Sequence, residues 1–551
     1  RKASTYFDRT WFNEMLEQNR DELAGGMEHT NTEIPVVLSL ARYYEATGDT
    51  RYRTAVENFM HWMAEGHELP TGGLSGRSPY PDYLTELYHY PKKIYPHVMD
   101  TPARKNIGSG ESCCSHNMNR ICERVLEWTA DAAYGDAWER RFINGVLAQQ
   151  NPETGMFLYN LNVKNGSRKQ WGIPEGSFWC CYGTGMEIFS SLTNGAYYTG
   201  TDSLWANLYM PCTFYWEEQG VAVRQETEYP DKETITFTFS MDHSTVFDFR
   251  LRIPGWLKRP AQIKVGNAAA ETIAPGTGFT SIQREWNDGD TVTLVLPFDL
   301  WGQEMPDRPE YIAVYYGPNF LVPCTGFHTV FPGTKQELLE SLVPNGVPCC
   351  FTAQLSSHSN GIPIPDYTTY KPIRRLIDET YHGYTRVAKP AAEVVCDRIQ
   401  ISEKDSLAAH RVGGEGIKCM DDSGRFYLTT EIDGAICFTM DADPAKELYL
   451  KLTYCGDDNM YIVGSSGQPV VRLFDLQVQA EDGSWNTFCT QSLQGDYPGE
   501  FFYELYPIPK QWTEGKKQLC FRLQSKPFHE LHGVAGRIFD AIQLHTYNQA
   551  F

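Results

Sequence analysis

The chain is organised around two cysteine-rich stretches, Gly110-Glu111-Ser112-Cys113-Cys114 and Phe178-Trp179-Cys180-Cys181-Tyr182-Gly183. The side chains in them that suit metal binding are Glu111, Cys113, Cys180 and Cys181. Three thiolates and one carboxylate make a donor set that suits a four-coordinate Zn2+ ion, which would hold two distant segments together. The alternative is that both cysteine pairs are ordinary buried side chains, because free cysteine is a common core residue.

A third cysteine pair, Cys349-Cys350, offers a comparison within the same chain. No acidic residue lies two positions before it, whereas Glu111 precedes Cys113 at that distance. Trp179 precedes the other pair, and glycines flank both stretches, which allows the backbone to approach closely. This combination favours a zinc site at 111–181 over two unrelated core pairs.

Composition narrows the range of partners. The 551 residues are enough for about three or four domains, and 41% hydrophobic content permits real cores. Lys and Arg number 48 against 69 Asp and Glu, and the net charge of −21 argues against nucleic acid or an anionic membrane as a partner. The aromatic content of 13% fits carbohydrate binding, although aromatic residues also fill cores.

The cysteines indicate the compartment. Fifteen cysteines without regular spacing do not resemble a secreted disulfide framework, so a cytoplasmic location is predicted over a periplasmic one. The sequence has no apolar run of about 18 residues, so no membrane span is indicated. No signal peptide is visible. Because the chain opens at Arg1 and not at a methionine, the presence of a preceding segment stays an open question.

Helical periodicity dominates residues 1–201. Apolar residues at helical spacing predict an αα-hairpin, with Ile34, Val37, Leu38, Ala41 and Tyr44 on its first helix and Tyr52, Val56, Phe59 and Met63 on its second. A second helix pair is predicted at about 115–129 and 136–148, and a further helix at about 186–197. Strand-like sequence is expected only after about six helices.

Strand patterns take over from residue 202. Alternating and β-branched runs at 234–240, 246–253 and 291–296 predict β-sandwich structure for 202–395. Further strands, near 425–431, 448–452, 470–478 and 517–523, predict a C-terminal β-sandwich accessory domain at 396–551, whose role is either sugar binding or packing. The fold class is therefore an α+β multidomain protein.

Several longer motifs point to a known family. They are Glu111-Ser-Cys113, Trp128-Thr-Ala-Asp131, Asn144-Gly-Val-Leu-Ala-Gln-Gln-Asn-Pro-Glu-Thr-Gly-Met156, Phe178-Trp-Cys-Cys-Tyr-Gly-Thr-Gly-Met-Glu187 and Arg252-Ile-Pro-Gly-Trp256. Together they resemble the zinc-cysteine glycosidases of glycoside hydrolase families 127 and 146, which are mostly β-L-arabinofuranosidases. The resemblance covers about residues 20–320 and extends more loosely to the C-terminus.

The resemblance implies an (α/α)6-barrel catalytic domain of twelve helices, followed by β-sandwich domains. Residues 1–201 would then hold only the later half of the barrel. Either the sequence is truncated, or a homo-oligomer or a separate chain supplies the missing N-terminal half.

The resemblance also implies a mechanism. Cys180 would be the nucleophile, with Glu111, Cys113 and Cys181 completing the zinc site. The activity would be that of a retaining exo-glycosidase acting on arabinan, arabinogalactan or pectin side chains, an oligo- or polysaccharide substrate. The alternative is a structural zinc site in a non-catalytic carbohydrate-binding protein or subunit, because closed cysteine-rich sites are usually structural.

The remaining candidates lie around the long Pro-, Gly- and Tyr-rich segment 66–110. Its start, Thr71-Gly-Gly73, resembles the family signature that precedes the general acid, so Asp82 is the candidate acid and base, with Glu86 behind it. By the same resemblance, His29 and Tyr159 contact the sugar.

The segment 77–105 also has a charge bias. It carries five basic and three acidic side chains, Arg77 among the basic ones, in a chain of net charge −21. A solvated surface is the ordinary explanation. A basic lid would instead favour a carboxylated pentofuranose, because Arg pairs with carboxylates through two hydrogen bonds.

Overall fold

The structure is a computed structural model. The residues that it describes are 9–20, 30–74, 109–163, 166–305, 311–325, 329–359, 362–387, 394–422, 424–458, 461–463, 467–493, 501–527 and 531–546.

Helices form the first part of the chain. Those in the described part before residue 191 are α1 Thr10–Glu17, α2 Thr30–Thr47, α3 Thr50–Trp62, α4 Ser112–Thr129, α5 Ala132–Arg141 and α6 Cys180–Ser190. Two single π-helical turns continue α3 and α5, one at Met63–His67 and the other at Phe142–Val146. No helix in the described ranges is long and apolar enough to cross a lipid bilayer.

The predicted αα-hairpin is confirmed as α2 and α3. Gly48 makes the turn between them with a φ of +70°, a conformation that favours glycine. Asp49 then caps α3 by accepting a hydrogen bond of 3.1 Å from the backbone N–H of Arg51. Asp131 caps α5 in the same way, with a distance of 2.9 Å to the N–H of Ala133.

The predicted bounds of the last helix are wrong. Instead of spanning about 186–197, α6 begins at Cys180 and ends at Ser190, and the chain is already extended at Tyr197–Thr199. Trp179 has extended backbone angles and therefore marks the start of the helix. This shift places both cysteines of the second stretch in the first turn of α6.

Strands make up most of the rest of the chain. Up to residue 295 they are β1 Ser109–Glu111, β2 Asn160–Asn162, β3 Tyr197–Thr199, β4 Ser203–Ala206, β5 Cys212–Trp216, β6 Val221–Thr227, β7 Thr234–Met241, β8 Thr245–Ile253, β9 Ala261–Val265, β10 Glu271–Ile273, β11 Gly278–Trp286 and β12 Thr291–Val295. The predicted strands at 234–240, 246–253 and 291–296 are confirmed as β7, β8 and β12.

Strands β1 and β2 pair with each other, and β3 to β12 form two sheets that pack face to face. One has the order β10-β9-β12-β7-β6-β5 and the other β11-β8-β4-β3. Phe237 of the first sheet and Phe249 of the second are fully buried, and their rings pack edge to face at 5.2 Å. The shared apolar core makes this pair a β-sandwich.

A third sheet follows in the chain. Its strands are β13 Leu300–Glu304, β14 Tyr311–Tyr316, β15 Asn319–Cys324, β16 Thr329–Phe331, β17 Val343–Pro344, β18 Phe351–Ser359, β19 Ile362–Pro372 and β20 Thr385–Val387, with the helix α7 Lys335–Ser341 between β16 and β17. Buried Ala313 and Phe320 of this sheet share a core with Ala148 and Leu161. The third sheet therefore packs against the helical unit.

The C-terminal part is a second sandwich. Its elements are β21 Val394–Gln400, α8 Lys404–Ala409, β22 Ile417–Asp422, β23 Arg425–Thr430, β24 Ala435–Asp441, β25 Leu448–Cys455, β26 Tyr461–Val463, β27 Pro469–Val471, β28 Leu473–Gln479, β29 Trp485–Ser492, β30 Phe501–Ile508, α9 Lys510–Thr513, β31 Gln518–Ser525, β32 His532–Gly533 and β33 Ile538–Thr546. Leu450 and Ile542 of one sheet meet Phe474 and Phe521 of the other in a common core. The predicted strand at 470–478 is divided between β27 and β28, which belong to different sheets.

Arg252 joins the helical unit to the first sandwich. This fully buried side chain on β8 forms ion pairs with Asp136 and Glu139 of α5, and its Nη2 lies 2.5 Å from the Glu139 carboxylate. Gly135 allows the close approach, because a Cβ there would lie 2.7 Å from the Arg252 side chain. A buried charge needs such partners, so the two units are fixed relative to each other.

Candidate metal centre and active site

Two helices begin at the site. Glu111 is the last residue of β1 and directly precedes α4, whose first turn carries Cys113 and Cys114. Cys180 and Cys181 are the first two residues of α6. Helix N-termini favour negative charge, so at both positions the start of the helix opposes the effect of burial on the thiols.

The structure brings the four predicted ligands together. The Cys113 sulfur lies 3.3 Å from a Glu111 carboxylate oxygen and 3.5 Å from the Cys181 sulfur. The Cys181 sulfur is 4.0 Å from the same oxygen. The sulfurs of Cys113, Cys180 and Cys181 all lie within 4.8 Å of one another.

A buried hydrogen bond connects the two helix starts. The Ser112 hydroxyl donates to the carbonyl of Cys181 at 2.9 Å, and its side chain is 1% exposed. On the other side, β1 pairs with β2 so that Glu111 is opposite Asn160. The positions of the donors therefore follow from backbone contacts as well as from the side chains.

Burial separates Cys180 from the other donors. Glu111, Cys113 and Cys181 are 3%, 2% and 0% exposed, whereas Cys180 is exposed to solvent. A molecule in solution can thus reach the Cys180 sulfur while the other groups lie beneath it.

The electrostatics of the cluster favour a cation. Burial raises the pKa of Glu111, against a hydrogen bond with Cys113 that lowers it. Contact with a neighbouring thiol raises the pKa of both Cys113 and Cys181, and burial adds to the effect. Burial also raises the pKa of Cys180. A divalent cation would supply the missing positive charge, and the sulfur and carboxylate donors suit a borderline-soft ion such as zinc.

Aromatic side chains surround the exposed thiol. The Tyr159 hydroxyl lies 3.4 Å from the Cys180 sulfur. The Tyr159 ring contacts the rings of Trp179 and Tyr182 edge to face, at 6.0 and 6.3 Å between centroids. Phe178 and Trp179 are 81% and 62% exposed. Apolar rings of this kind are suited to stacking on sugar rings.

Four predicted site residues, His29, Arg77, Asp82 and Glu86, lie outside the described residues. The described residues before the last three of these end at Leu74, and Gly73 and Leu74 lie against the site. The Glu111 N–H donates to the Leu74 carbonyl at 3.2 Å, and a Cβ on Gly73 would lie 3.7 Å from the Cα of Gly110.

Sequence reasoning missed three residues of this site. Cys114 was not assigned as a donor, although its sulfur lies within 4.8 Å of Cys113 and Glu111 donor atoms. Phe178 and Trp179 belong to a motif of the sequence, but the sequence alone assigns them no contact with a substrate. Their proximity and exposure depend on tertiary structure, and the adjacency of Cys114 to Cys113 was the only signal in the sequence.

Comparisons with known proteins agree with these motifs. The family description of the β-L-arabinofuranosidase catalytic domain of glycoside hydrolase family 127 matches residues 1–194, and that of the middle domain matches residues 203–298. The non-reducing end β-L-arabinofuranosidase of Bifidobacterium longum subsp. longum is 23% identical over 208 residues, which is 35% of this chain and 31% of that protein.

Solved structures share the fold. The family 127 β-L-arabinofuranosidase from Geobacillus stearothermophilus T6 superposes with a TM-score of 0.51 at 18% identity, covering 65% of this chain and 60% of that one. A second family 127 β-arabinofuranosidase gives a TM-score of 0.53 at 18% identity, covering 66% of this chain and 61% of that one. The matched part is less than two thirds of each of these relatives.

Proposed function

Because the chain belongs to the β-L-arabinofuranosidases of glycoside hydrolase family 127, we propose that it is a retaining exo-glycosidase. It removes a terminal β-L-arabinofuranose, or a related pentofuranose, from plant polysaccharide or glycan side chains. Arabinan, arabinogalactan and pectin side chains are the proposed substrates.

One observation carries this proposal. Among the four predicted ligands, Cys180 has an exposed thiol, whereas the carboxylate of Glu111 and the thiols of Cys113 and Cys181 are buried beneath it. A structural zinc site does not require an exposed ligand, whereas a nucleophile must reach its substrate. Zn2+ bound by these four residues would keep the Cys180 sulfur deprotonated at neutral pH.

The first step cleaves the glycosidic bond. The Cys180 sulfur attacks the anomeric carbon and forms a carbon–sulfur bond, while the bond to the leaving oxygen breaks. The leaving oxygen takes a proton from a carboxylic acid. Asp82 is the proposed residue, and Glu86 is the alternative. The sugar is then held covalently on Cys180.

The second step releases the sugar. The same carboxylate takes a proton from a water molecule, whose oxygen attacks the anomeric carbon and displaces the Cys180 sulfur. Two displacements at one carbon restore its configuration, as in retaining glycosidases that use a carboxylate nucleophile.

Tyr159 and the aromatic rim orient the substrate. The Tyr159 hydroxyl, 3.4 Å from the Cys180 sulfur, can donate a hydrogen bond that holds the attacking atom in place. Phe178 and Trp179 offer apolar surface to the glycan beside it. His29 would contact the sugar, and Arg77 would favour a substrate that carries a carboxylate.

The wider organisation is part of the same proposal. The helical unit would correspond to the later half of an (α/α)6 barrel. The protein would act in the cytoplasm.

The test compares the wild type with Cys180→Ala. Purified protein is assayed against a panel of neutral and carboxylated β-L-furanosides and branched pectin fragments, and its zinc content is measured by elemental analysis. We expect Cys180→Ala to abolish turnover while one zinc per chain remains. Cys419→Ala removes another exposed thiol, in β22, and should leave both measurements unchanged.

Two outcomes contradict the proposal. Full turnover by Cys180→Ala would exclude Cys180 as the nucleophile. Wild-type protein that binds glycans but cleaves none of the panel, and that loses zinc and fold together on Cys180→Ala, would favour a carbohydrate-binding protein with a structural ion.

A further inference from the structure

The cluster contains one more donor than a tetrahedral ion needs. Cys114 is fully buried in the first turn of α4. Its sulfur forms one close group with Glu111 and Cys113, and a second close group consists of Cys113, Cys180 and Cys181. Cys113 belongs to both groups. Glu111 also reaches Cys181 at 4.0 Å, which connects the groups a second time.

Without Cys180, four donors remain, and all of them are buried. They are Glu111, Cys113, Cys114 and Cys181. Three thiolates and one carboxylate are the same donor set as the one that includes Cys180, so a zinc ion would keep both its coordination number and its ligand types. Rotation about the Cα–Cβ bond can move the Cys114 sulfur towards the ion while the backbone of α4 stays in place.

Another buried cysteine of the same helix differs from Cys114 in its distance from the site. Cys122 lies on α4 as well, is 1% exposed, and accepts a hydrogen bond from Arg141 at 3.2 Å. It is not part of either close group of donors. Cys114 and Cys122 therefore share burial and helix but differ in their distance from the site.

We propose that Cys114 is a reserve ligand, which takes the place of Cys180 on the metal ion whenever the Cys180 sulfur is bonded to carbon. This inference rests on the proposed function. A sulfur with two bonds to carbon is no longer a thiolate, and the thiolate is the form that binds metals. As Cys114 binds, its thiol proton passes to solvent. Glu111, Cys113, Cys114 and Cys181 would then hold the ion during the part of the cycle in which Cys180 carries the sugar.

The first test imitates the bonded state. Iodoacetamide alkylates the exposed Cys180, forming a carbon–sulfur bond and releasing iodide, and mass spectrometry confirms the position. Zinc release is followed with a chromophoric chelator. We expect alkylated wild type to retain its zinc and alkylated Cys114→Ala to release it. Retention by both proteins, or release from both, overturns the proposal.

The second test uses a double-mutant cycle on zinc affinity. Cys114→Ala alone should bind zinc as the wild type does, and Cys180→Ala should bind it nearly as well. The double variant should bind about 100-fold more weakly than Cys180→Ala, since coupled sites are strongly non-additive. Absorption of the cobalt-substituted proteins reports the number of thiolate ligands, which should fall from three to two only in the double variant.

Cys122→Ala in the Cys180→Ala background is the matched control, because it removes a buried thiol from the same helix. This variant should bind zinc as Cys180→Ala does. Equal weakening by Cys122→Ala and Cys114→Ala would assign the effect to damage in α4 and overturn the proposal. A wild type without zinc would refute both the zinc site and the reserve ligand, whereas zinc-containing, active wild type with an additive cycle would refute the reserve ligand alone.

Discussion

Replacing Lys169 with Met should make the protein more stable at neutral pH. The Lys169 side chain is 6% exposed, and its Nζ has no hydrogen-bond partner in the described part of the chain. The ammonium lies 5.1 Å from the centre of the Trp171 ring. Burial lowers the pKa of Lys169 to about 7, and the charge of Glu379 opposes this only in part.

The size of the effect follows from proton linkage. Lysine in the unfolded chain titrates near the ordinary value of 10.5. Between pH 7 and 10.5 the unfolded state therefore binds more protons than the native state, so stability rises with pH, by about 1.4 kcal/mol per pH unit at most. Below pH 7 both states are protonated and the full cost of the buried charge applies. From about pH 7 to 9, the wild type should gain about 2 kcal/mol relative to Lys169→Met.

The assay is urea unfolding of both proteins at these two pH values, followed by tryptophan fluorescence. Lys258→Met is the matched control, because Lys258 also lies over a tryptophan, 5.6 Å from the centre of the Trp301 ring, but is exposed. Lys258→Met removes an exposed charge beside a tryptophan and so shows what the substitution does without burial. The reasoning is refuted if Lys169→Met is destabilising at pH 7, or if its difference from the wild type is the same at both pH values.

Three further changes test other parts of the structure. Arg252→Met leaves the buried Glu139 and the partly exposed Asp136 without their countercharge and should cost about 3–5 kcal/mol in unfolding free energy, part of which Glu139→Gln should restore in the double variant. Tyr159→Phe removes the hydroxyl group that lies beside the Cys180 sulfur. Because a hydrogen bond to a charged group contributes about 1.5–3 kcal/mol, kcat/KM should fall about 10- to 100-fold while the zinc content stays unchanged. An unchanged kcat/KM would exclude this contact from catalysis. Burial raises the pKa of Glu379, but hydrogen bonds from Lys371 and from backbone N–H groups outweigh burial and lower the pKa to about 2. The stability that Glu379 contributes is therefore present above about pH 4.5 and is lost as the pH falls towards 2. Glu379→Gln should therefore lose stability at neutral pH but not in urea unfolding at pH 2, and an equal loss at both pH values would contradict this assignment.

Much of the secondary structure was predictable because local patterns and burial agree. In α2, Ile34, Val37 and Ala41 recur at helical spacing and are fully buried. The alternation in β7 matches a strand with one buried face, whose residues Ile235, Phe237 and Phe239 are 0% exposed. In such elements a single face meets the core, so the period of the sequence reports the structure.

The start of α6 was not predictable for the opposite reason. Its first turns contain Gly183 and Gly185, which disfavour a helix by about 1 kcal/mol each relative to alanine. Packing overrides that preference at Gly185, because a Cβ there would lie 2.6 Å from the Phe157 ring. Close contact with a segment far away in sequence therefore favours glycine inside this helix, against its local preference.

The sequence by itself determined which donors this protein has, since Glu-x-Cys and Cys-Cys are local patterns of residue type and spacing. Only the tertiary structure decided what each donor can do. Cys180 and Cys181 are neighbours, but successive side chains of a helix point about 100° apart, so one faces solvent and the other the core. The burial of Lys169, whose Nζ has no hydrogen-bond partner in the described part of the chain, likewise results from packing between segments that no local pattern records.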